Sequence, residues 1–297
     1  MSNDFSPRIG FVGAGRVGVS LGKYYTVKGM NVVGYYSRSA DSAKAAATFT
    51  DTCQFNNMAE LIAECDMIFL TVPDAQIESV WKEVSENNIT GKYICHCSGA
   101  MSSSIFDNIT GLGAFGYSIH PLYAINSIYE SYKELDRVFF AVEGSSEKTE
   151  LITDWIKAMG NPVSSIDSDK KSLYHASAVM ASNLVIGLYH TAAGMLMQCG
   201  MEESVATDAL KELFFGNCKN IIEKGTTGAL TGPVDRNDIT TIEKHLEVLQ
   251  KEYSSSDTAH HIPEIYRLLS LELMDVAARK NFETDYSRLH ELLRRFH

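Results

Sequence analysis

The sequence predicts an α/β fold with a mostly parallel sheet, followed by an all-α domain. In the first half, short apolar runs alternate with helical patterns, which is typical of parallel strands joined by crossover helices. In the second half the patterns are almost all helical. The pattern changes near residues 167–169. We therefore expect two domains, residues 1–168 and residues 169–297.

The first-half elements follow from apolar runs and amphipathic spacing. The predicted strands are Arg8–Val12, Asn31–Tyr36, Met67–Val72, Tyr93–Cys97, Ala114–Ile119 and Val138–Val142, with a further candidate at Asn161–Ile166. The predicted helices between them are Val17–Lys28, Asp41–Phe49, Met58–Glu64, Ala75–Glu86 and Lys148–Met159. Strand and helix in alternation predict a sheet covered by helices on both faces.

The second half opens with a long proline-free helical pattern, Lys170–Cys199, that carries apolar residues on nearly every face. Such a pattern predicts a buried helix, shared with a partner subunit. Further helices are predicted at Glu202–Lys224, Asp238–Glu252, His261–Lys280 and Thr284–Phe296. The glycines and proline of Gly225–Asp238 predict a structured loop between two of these helices.

Composition excludes several classes of protein. The 297 residues carry a net charge of −11, whereas a nucleic-acid binder needs a basic surface. No run of eighteen apolar residues occurs, so we expect no membrane span. Met1–Pro7 lacks the apolar core of a signal peptide, and the cysteines lack C-x-x-C spacing. We therefore expect reduced cysteines, no metal site and a cytoplasmic location.

A glycine-rich turn follows the first predicted strand and opens a helix. It reads Gly13-x-Gly15-x-x-Gly18, with Ala14, Arg16 and Val17 between the glycines. The first glycine permits a tight turn, the second lets a pyrophosphate approach the backbone, and the third permits close helix–strand packing. This context predicts a Rossmann-like, dinucleotide-binding domain that holds phosphates at the helix start.

The residues after the second strand indicate which dinucleotide is bound. An acidic residue usually stands here and holds a free ribose. This chain instead has Ser37, Arg38 and Ser39, which offer a guanidinium and two hydroxyls to a 2′-phosphate. We therefore predict NADP(H) rather than NAD(H); the alternative is an ordinary solvated Arg38.

Later strand ends should contribute to the same crevice, because ligands collect at the carboxyl ends of parallel strands. Val72 and Pro73 are expected against the nucleotide, with Asp74 capping the next helix. Ser98 and Gly99 end the following strand. His120 ends another and is a candidate substrate-binding residue, the alternative being a structural histidine before a proline.

A polar stripe follows one side of the predicted helix Lys170–Cys199. At about 100° per residue, its members fall within a sector of roughly 120°; they are Lys171, His175, Ser182, Asn183 and His190. Polar groups on a buried helix need water, a ligand or another element. Lys171 or His175 could donate a proton, and Asn183 could orient a substrate beside Ser182. The alternative is a structural polar seam.

The predicted loop Gly225–Asp238 is the second candidate contributor. Thr231 offers a hydroxyl, and Arg236 offers a bidentate clamp for a carboxylate. A small anionic substrate would suit this loop. The alternative is a helix connection in which Arg236 pairs with Asp235 or Asp238.

Seven stretches together carry a family resemblance; they are GFVGAGRVG, YSRSADSA, TVPDAQI, HCSGAMS, SIHPL, YHASAVMASN and ALTGPVDRND. They resemble oxidoreductases with an N-terminal Rossmann-like domain and a C-terminal domain of unknown function, related to pyrroline-5-carboxylate reductase and deazaflavin-dependent NADP oxidoreductases. The resemblance implies a helical domain like the C-terminal domain of 6-phosphogluconate dehydrogenase, which dimerises, and an active site between nucleotide and helical domain. The related β-hydroxyacid dehydrogenases use a Lys and an Asn on this helix, whereas Lys171 and Asn183 stand further apart here.

Together these features predict an NADP(H)-dependent oxidoreductase that acts on a small carbonyl, hydroxy or imine compound, as a homodimer without nucleic-acid or membrane partners. Two alternatives stay open. One is a deazaflavin-linked NADP oxidoreductase, and the other is a non-catalytic protein that senses NADP(H).

Overall fold

A computed structural model describes residues 5–253, 259 and 261–296 of the chain. Its internal contacts divide the chain into two compact units, Met1–Leu184 and Val185–His297. The first unit extends beyond the predicted boundary at residue 168 because Lys171 and Tyr174 hydrogen-bond to the strand ends of its sheet. The assignment of the two domains by function stays a prediction.

Within the described residues, the first unit contains one eight-stranded sheet with the order β3-β2-β1-β4-β5-β6-β7-β8. The strands are β1 Ile9–Val12, β2 Val32–Tyr36, β3 Cys53–Phe55, β4 Met67–Leu70, β5 Tyr93–His96, β6 Phe115–Pro121, β7 Phe140–Gly144 and β8 Val163–Ser165. All neighbouring strands pair in parallel except β6 and β7, which are antiparallel. The predicted α/β class is confirmed. The short strand β3 was not expected from the sequence, because three residues give too little periodic pattern.

The sheet is buried on both faces. In β4, Met67 and Phe69 pack into one apolar cluster, while Ile68 and Leu70 pack into the other. Alternate side chains of a strand point to opposite faces, so a strand covered on both sides reads as a continuous apolar run. The helices of this unit are α1 Arg16–Val27, α2 Ala40–Thr50, α3 Met58–Glu64, α4 Asp74–Ser85, α5 Thr149–Ala158 and α6 Lys171–Ala181.

The predicted continuous helix Lys170–Cys199 is wrong at one position. Ser182 has φ −127° and ψ −78°, and it separates α6 from the next helix, α7 Asn183–Gln198. The Ser182 hydroxyl donates to the carbonyl of Ala178, four residues earlier. Such back-bonding by serine competes with the helical ladder and bends helices.

The chain by itself does not bury this helical stretch, and its expected burial against a partner subunit stays a prediction. Leu173 is 70% exposed and Ile186 is 69% exposed. The run Ser168–Gln198 is long and apolar enough to cross a membrane by length and composition, although no membrane span was expected. However, Lys171 at its start is buried against the sheet. That contact favours packing within the protein as the role of this part of the run.

The regular elements in the described part of the second unit are helices joined by loops. Besides most of α7, it contains α8 Glu203–Ala229, α9 Ile239–Tyr253, α10 Ile262–Lys280 and α11 Ser287–Arg295. Its main core joins the last three of these helices through residues such as Ile242, Met274 and Leu289. The predicted loop begins later than expected, because α8 continues to Ala229 after a non-helical Gly225 with φ 70°.

Candidate active site

The glycine-rich turn between β1 and α1 packs tightly against the end of β4. Gly13 has φ +107°, and a β-carbon there would lie 2.7 Å from the carbonyl oxygen of Thr71. A β-carbon on Gly18 would lie 2.3 Å from Thr71 Oγ1. Gly15 is the N-cap of α1 and supplies no side-chain cap. The first N–H groups of α1 can therefore meet a phosphate, as the motif predicts.

A cavity of about 260 Å³ opens beside this turn. It is lined by Gly13, Ala14 and Gly15 together with Ser37 and Arg38 after β2. The Arg38 guanidinium donates to Gln76 Oε1 at 2.8 Å, and Gln76 lines the same cavity. Arg38 is exposed, and this hydrogen bond places its guanidinium at the edge of the cavity.

Ser37 lines this cavity, whereas Ser39 caps the helix α2. Its hydroxyl accepts from the backbone N–H of Ser42 at 3.2 Å and so caps α2. Ser42, which sequence reasoning missed, lines the cavity instead. Serine is a common N-cap residue, and in this role Ser39 Oγ is already hydrogen-bonded to the backbone of α2.

A second cavity of about 410 Å³ shares Gly15, Val72 and Pro73 with the first. It is also lined by Arg16, Val17, Asp74 and Ser98. The expectation that Asp74 caps α4 is wrong, because Pro73 occupies the N-cap position and Asp74 is the first helical residue. The Asp74 carboxylate instead accepts from the Ser98 hydroxyl at 2.6 Å, which joins the ends of β4 and β5.

Lys171 is buried at the ends of β5 and β6, with 2% exposure. Its ammonium group donates to the Ser98 carbonyl oxygen at 3.0 Å and to Ser118 Oγ at 2.6 Å. Removal from water lowers the pKa of Lys171 to about 8, because burial disfavours the charged form. These bonds fix α6 to the strand ends, and they turn the Lys171 ammonium group toward the protein.

His120, Tyr174 and His175 meet above Gly99. His120 Nδ1 lies 2.7 Å from the Tyr174 hydroxyl, and the rings of His120 and His175 are 6.4 Å apart. Burial lowers the pKa of His120 to about 4, so this imidazole is neutral near pH 7. His175 Nδ1 is buried and has no hydrogen-bond partner among the described residues. The structure therefore brings the predicted residues His120, His175 and Gly99 together.

Two further buried residues support this cluster and were not singled out in the sequence. His96 Nδ1 accepts from the Ser98 N–H at 3.2 Å, and burial lowers the pKa of His96 to about 4. The Glu143 carboxylate accepts from the N–H of Ser103 at 2.7 Å and from its hydroxyl at 2.8 Å. The signal was the polar run HCSGAMSSS, whose serines needed a buried partner.

Two predicted residues of the same unit do not join the cluster. Ser182 and Asn183 are exposed at the helix break and bond to each other at 3.1 Å. His190, Thr231 and Arg236 lie in the second unit.

The described residues show no ion pair within 4 Å between Arg236 and Asp235 or Asp238, although the Arg236 charge adds to the hydrogen bonds that lower the pKa of both carboxyl groups. Asp235 pairs with Lys280 at 2.9 Å, and Asp238 accepts from the Thr241 hydroxyl at 2.7 Å. Arg236 is exposed. Across residues 5–253, 259 and 261–296, no group of three or more His, Cys, Asp or Glu side chains could hold a metal ion.

Several known proteins have similar folds, and some of them are named as oxidoreductases. A protein from Thermotoga maritima is 24% identical with a TM-score of 0.70, and the match covers 92% of this chain and 99% of that one. A Bacteroides fragilis protein with the provisional name NADP oxidoreductase is 21% identical, with a TM-score of 0.66 and coverage of 91% and 98%. The Plasmodium falciparum pyrroline carboxylate reductase, solved with NADP bound, is 15% identical, with a TM-score of 0.56 and coverage of 93% and 99%. A comparison with curated proteins gives no match.

Family models, in contrast, match both halves of the chain. Residues 4–121 match the Rossmann-like domain, and residues 138–273 match DUF2520, a domain of unknown function. The chain therefore combines an N-terminal Rossmann-like domain with a C-terminal DUF2520 domain, as the sequence resemblance implies.

Proposed function

We propose that this protein is an NADP(H)-dependent oxidoreductase that acts on a small carbonyl, hydroxy or imine compound. One observation carries the proposal. Two adjoining cavities share Gly15, Val72 and Pro73, and they extend from Arg38 at one side to Ser98 at the other. A dinucleotide needs such an extended crevice at the carboxyl ends of parallel strands.

Support for NADP(H) comes from the surroundings of Arg38. A 2′-phosphate would meet a guanidinium already oriented by Gln76, with Ser37 and Ser42 beside it. We expect Arg38→Ala to weaken NADPH binding about 10- to 100-fold, the loss typical of a charge-assisted hydrogen bond, with little change for NADH. Arg8→Ala, at an exposed ion pair, is the control. A preference for NADH by both wild type and Arg38→Ala would overturn the cofactor assignment.

The residues around Ser98 support the chemistry. Bound NADPH supplies a hydride, and reduction of a C=O or C=N bond then needs a proton at the heteroatom. We assign the proton donor to His175, whose Nδ1 has no partner among the described residues. Lys171, whose ammonium group is bonded to Ser98 and Ser118, supplies positive charge and holds the strand ends. Asn183 stays a candidate for substrate orientation.

A substrate with a carboxylate would suit Arg236. The neighbouring carboxylates of Asp235 and Asp238 accept hydrogen bonds from Lys280 and Thr241, and the exposed guanidinium of Arg236 makes no ion pair within 4 Å among the described residues, so it can bind an anion. We expect Arg236→Ala to raise KM for an anionic substrate and to leave NADPH binding unchanged. An equal loss of both would instead identify the loop as a folding element.

A homodimer through the helical region and a cytoplasmic location complete the proposal. The exposed apolar side chains of α7 and α8 support the dimer, because monomeric proteins rarely expose so many. They include Ile186, Leu188, Leu213, Phe215 and Ile222.

The test of the proposed activity is NADPH oxidation with a panel of small keto acids, ketones and cyclic imines. Wild type should turn over at least one class, and His175→Ala and Lys171→Ala should lose at least about 100-fold, the effect of losing a general acid or a buried electrostatic contact. Tight NADPH binding without turnover of any class would favour a sensor. Turnover only after addition of a deazaflavin would favour the deazaflavin-linked alternative.

A further inference from the structure

The larger of the two adjoining cavities is lined by an acidic residue at the side away from Arg38. Gly15 lines both cavities, and the larger one is also lined by Asp74 and Ser98. We call it the Asp74 cavity. A dinucleotide with its 2′-phosphate at Arg38 and its pyrophosphate at the start of α1 would extend its nicotinamide end into the Asp74 cavity.

The hydrogen bonds of Ser98 determine where its hydroxyl proton points. Ser98 Oγ accepts from the backbone N–H of Met101 at 3.1 Å and from that of Ala100 at 3.3 Å. With two donors directed at this oxygen, its own proton is free to be donated to Asp74 Oδ2, which lies 2.6 Å away. A hydroxyl bond to a carboxylate is charge-assisted and strong, so Ser98 fixes the position of the Asp74 side chain.

The second carboxylate oxygen of Asp74 is available to a ligand. Asp74 is exposed and lines the cavity. Within residues 5–253, 259 and 261–296, the Asp74 side chain bonds to Ser98 through Oδ2, and Oδ1 has no hydrogen-bond partner. A ligand in the Asp74 cavity therefore meets an open acceptor that carries negative charge.

Two cationic side chains also lie near this carboxylate. The Lys171 ammonium group donates to the carbonyl oxygen of Ser98, and its charge repels a positive ligand. Arg16 lines the Asp74 cavity and is the first residue of α1, where the pyrophosphate is expected. Of the residues that line the cavity, Asp74 is the acidic one. Attraction of a positive group in this cavity therefore depends on Asp74.

The two redox forms of the cofactor differ in charge at the nicotinamide ring. The ring of NADP⁺ carries one positive charge, whereas the ring of NADPH is neutral. We propose that Asp74, positioned by Ser98, recognises the positive nicotinamide ring and so favours NADP⁺ over NADPH. This inference rests on the proposed function and adds to it a preference between the two redox forms. The attraction strengthens as the ring displaces water from the cavity.

Tighter binding of the oxidised form makes the bound cofactor a stronger reductant. A preference of about 10-fold lowers the reduction potential of a bound two-electron couple by about 30 mV. Asp74 therefore favours hydride transfer from the cofactor to the substrate. The same preference makes NADP⁺ an effective competitor of NADPH, so the activity should respond to the ratio of the two forms.

The first experiment measures the dissociation constants of NADP⁺ and NADPH by isothermal titration calorimetry. Asp74→Asn removes the charge, keeps the size and can still accept from Ser98. We expect it to weaken NADP⁺ binding by about 10-fold and to change NADPH binding by less than about threefold. Retained NADPH binding also shows that the variant is folded.

Two outcomes of this titration would overturn the inference and leave the proposed function standing. One is an unchanged NADP⁺ affinity in Asp74→Asn, and the other is an equal loss of both forms. Asp154→Asn is the matched control, because Asp154 pairs with Lys157 at 3.0 Å and lines neither cavity. Both of its constants should stay within about twofold of wild type, since a distant exposed charge is screened.

The second experiment locates the effect of the charge. The probe is 2′-phospho-ADP-ribose, which has the 2′-phosphate and pyrophosphate of NADP⁺ but no nicotinamide ring. Wild type and Asp74→Asn should bind it within about twofold of each other. A loss as large as that for NADP⁺ would place the effect at the pyrophosphate and overturn the inference. If wild type binds neither NADP⁺ nor NADPH, the proposed cofactor is wrong, and the inference fails with it.

Discussion

The strand ends of the first unit and the helices α7 and α8 differ in which kind of side chain they bury. At the strand ends, charged and polar groups are buried, and most of them are bonded within the protein; Lys171 and Glu143 are examples. On α7 and α8, apolar side chains such as Phe215 and Ile222 are left exposed. The strand ends thus bury polar groups that water would otherwise solvate, whereas α7 and α8 expose apolar side chains that are unfavourable in water.

This difference indicates which region should bind a ligand and which should bind another protein surface. In the strand-end region, His175 Nδ1 is a buried polar atom with no hydrogen-bond partner among the described residues, which suits a small ligand. In the helical region the unsatisfied surface is wide and apolar, which suits a protein surface. Each prediction below tests one side of this comparison.

The largest effect is expected from a charge on the exposed apolar surface. Phe215 is 67% exposed and Ile222 is 85% exposed. In a symmetric dimer, each substitution by Glu occurs twice and removes about 1.5–3 kcal/mol of apolar burial per copy. We therefore expect Phe215→Glu and Ile222→Glu to weaken dimerisation by more than about 100-fold. Sedimentation equilibrium measures the dissociation constant.

Phe282→Glu is the matched control for the dimer. Phe282 is also 85% exposed but lies outside α7 and α8. It should leave the dissociation constant unchanged. Equal weakening by Phe282→Glu, or a monomeric wild type, would contradict the proposed interface.

The second effect concerns acid stability of the strand-end region. The pKa of His96 is about 4 in the folded protein, below its ordinary value of about 6.5, so the unfolded chain takes up the proton first. The contribution of His96 to the free energy of unfolding is fully present above about pH 6.5. It decreases by about 3 kcal/mol as the pH falls toward 4. His120 adds a change of the same sign.

Denaturant unfolding as a function of pH measures this effect. His96→Asn should remove a clear part of the loss between about pH 6.5 and 4, because the titrating group is gone. The exposed His245→Asn should leave the pH dependence as in wild type. Identical slopes for wild type and His96→Asn would show that His96 is not a buried neutral imidazole.

The smallest effect near neutral pH is expected at Lys171. Lys171→Met removes two hydrogen bonds of about 1 kcal/mol each and also removes the desolvation cost of a buried charge, about 3 kcal/mol from the lowered pKa. The Ser98 carbonyl keeps its bond from Ser118. The free energy of unfolding at pH 7 should therefore change by less than about 1 kcal/mol, although activity is lost.

The pH dependence separates Lys171 from its neighbour Lys170. Between about pH 8 and 10.5 the unfolded chain holds the Lys171 proton more tightly, so the stability of wild type relative to Lys171→Met should rise with pH, whatever the contribution of the other groups that both proteins share. Lys170→Met, at a side chain that is 59% exposed, should show the same rise. A loss of more than about 2 kcal/mol at pH 7 in Lys171→Met would show that the buried ammonium group stabilises the fold.

The sequence predicted the sheet well where a strand is buried on both faces, because the apolar run is then continuous, as in β4. It also located the glycine turn, because each glycine has its own steric reason. It missed the break at Ser182, since a single serine back-bond does not disturb a 3.6-residue pattern. For the same reason it joined Lys171 and Asn183 into one stripe that the structure divides.

By itself, the sequence determined the alternation of elements, the dinucleotide motif and the arginine that replaces the usual acid. These depend on residues close together in the chain, whose spacing is set by strand and helix periods. Only the tertiary structure decided that His120 and His175 meet at Gly99, and that Gln76 orients Arg38. Such contacts join residues from separate elements, and their geometry depends on how strands and helices pack, which no local pattern encodes.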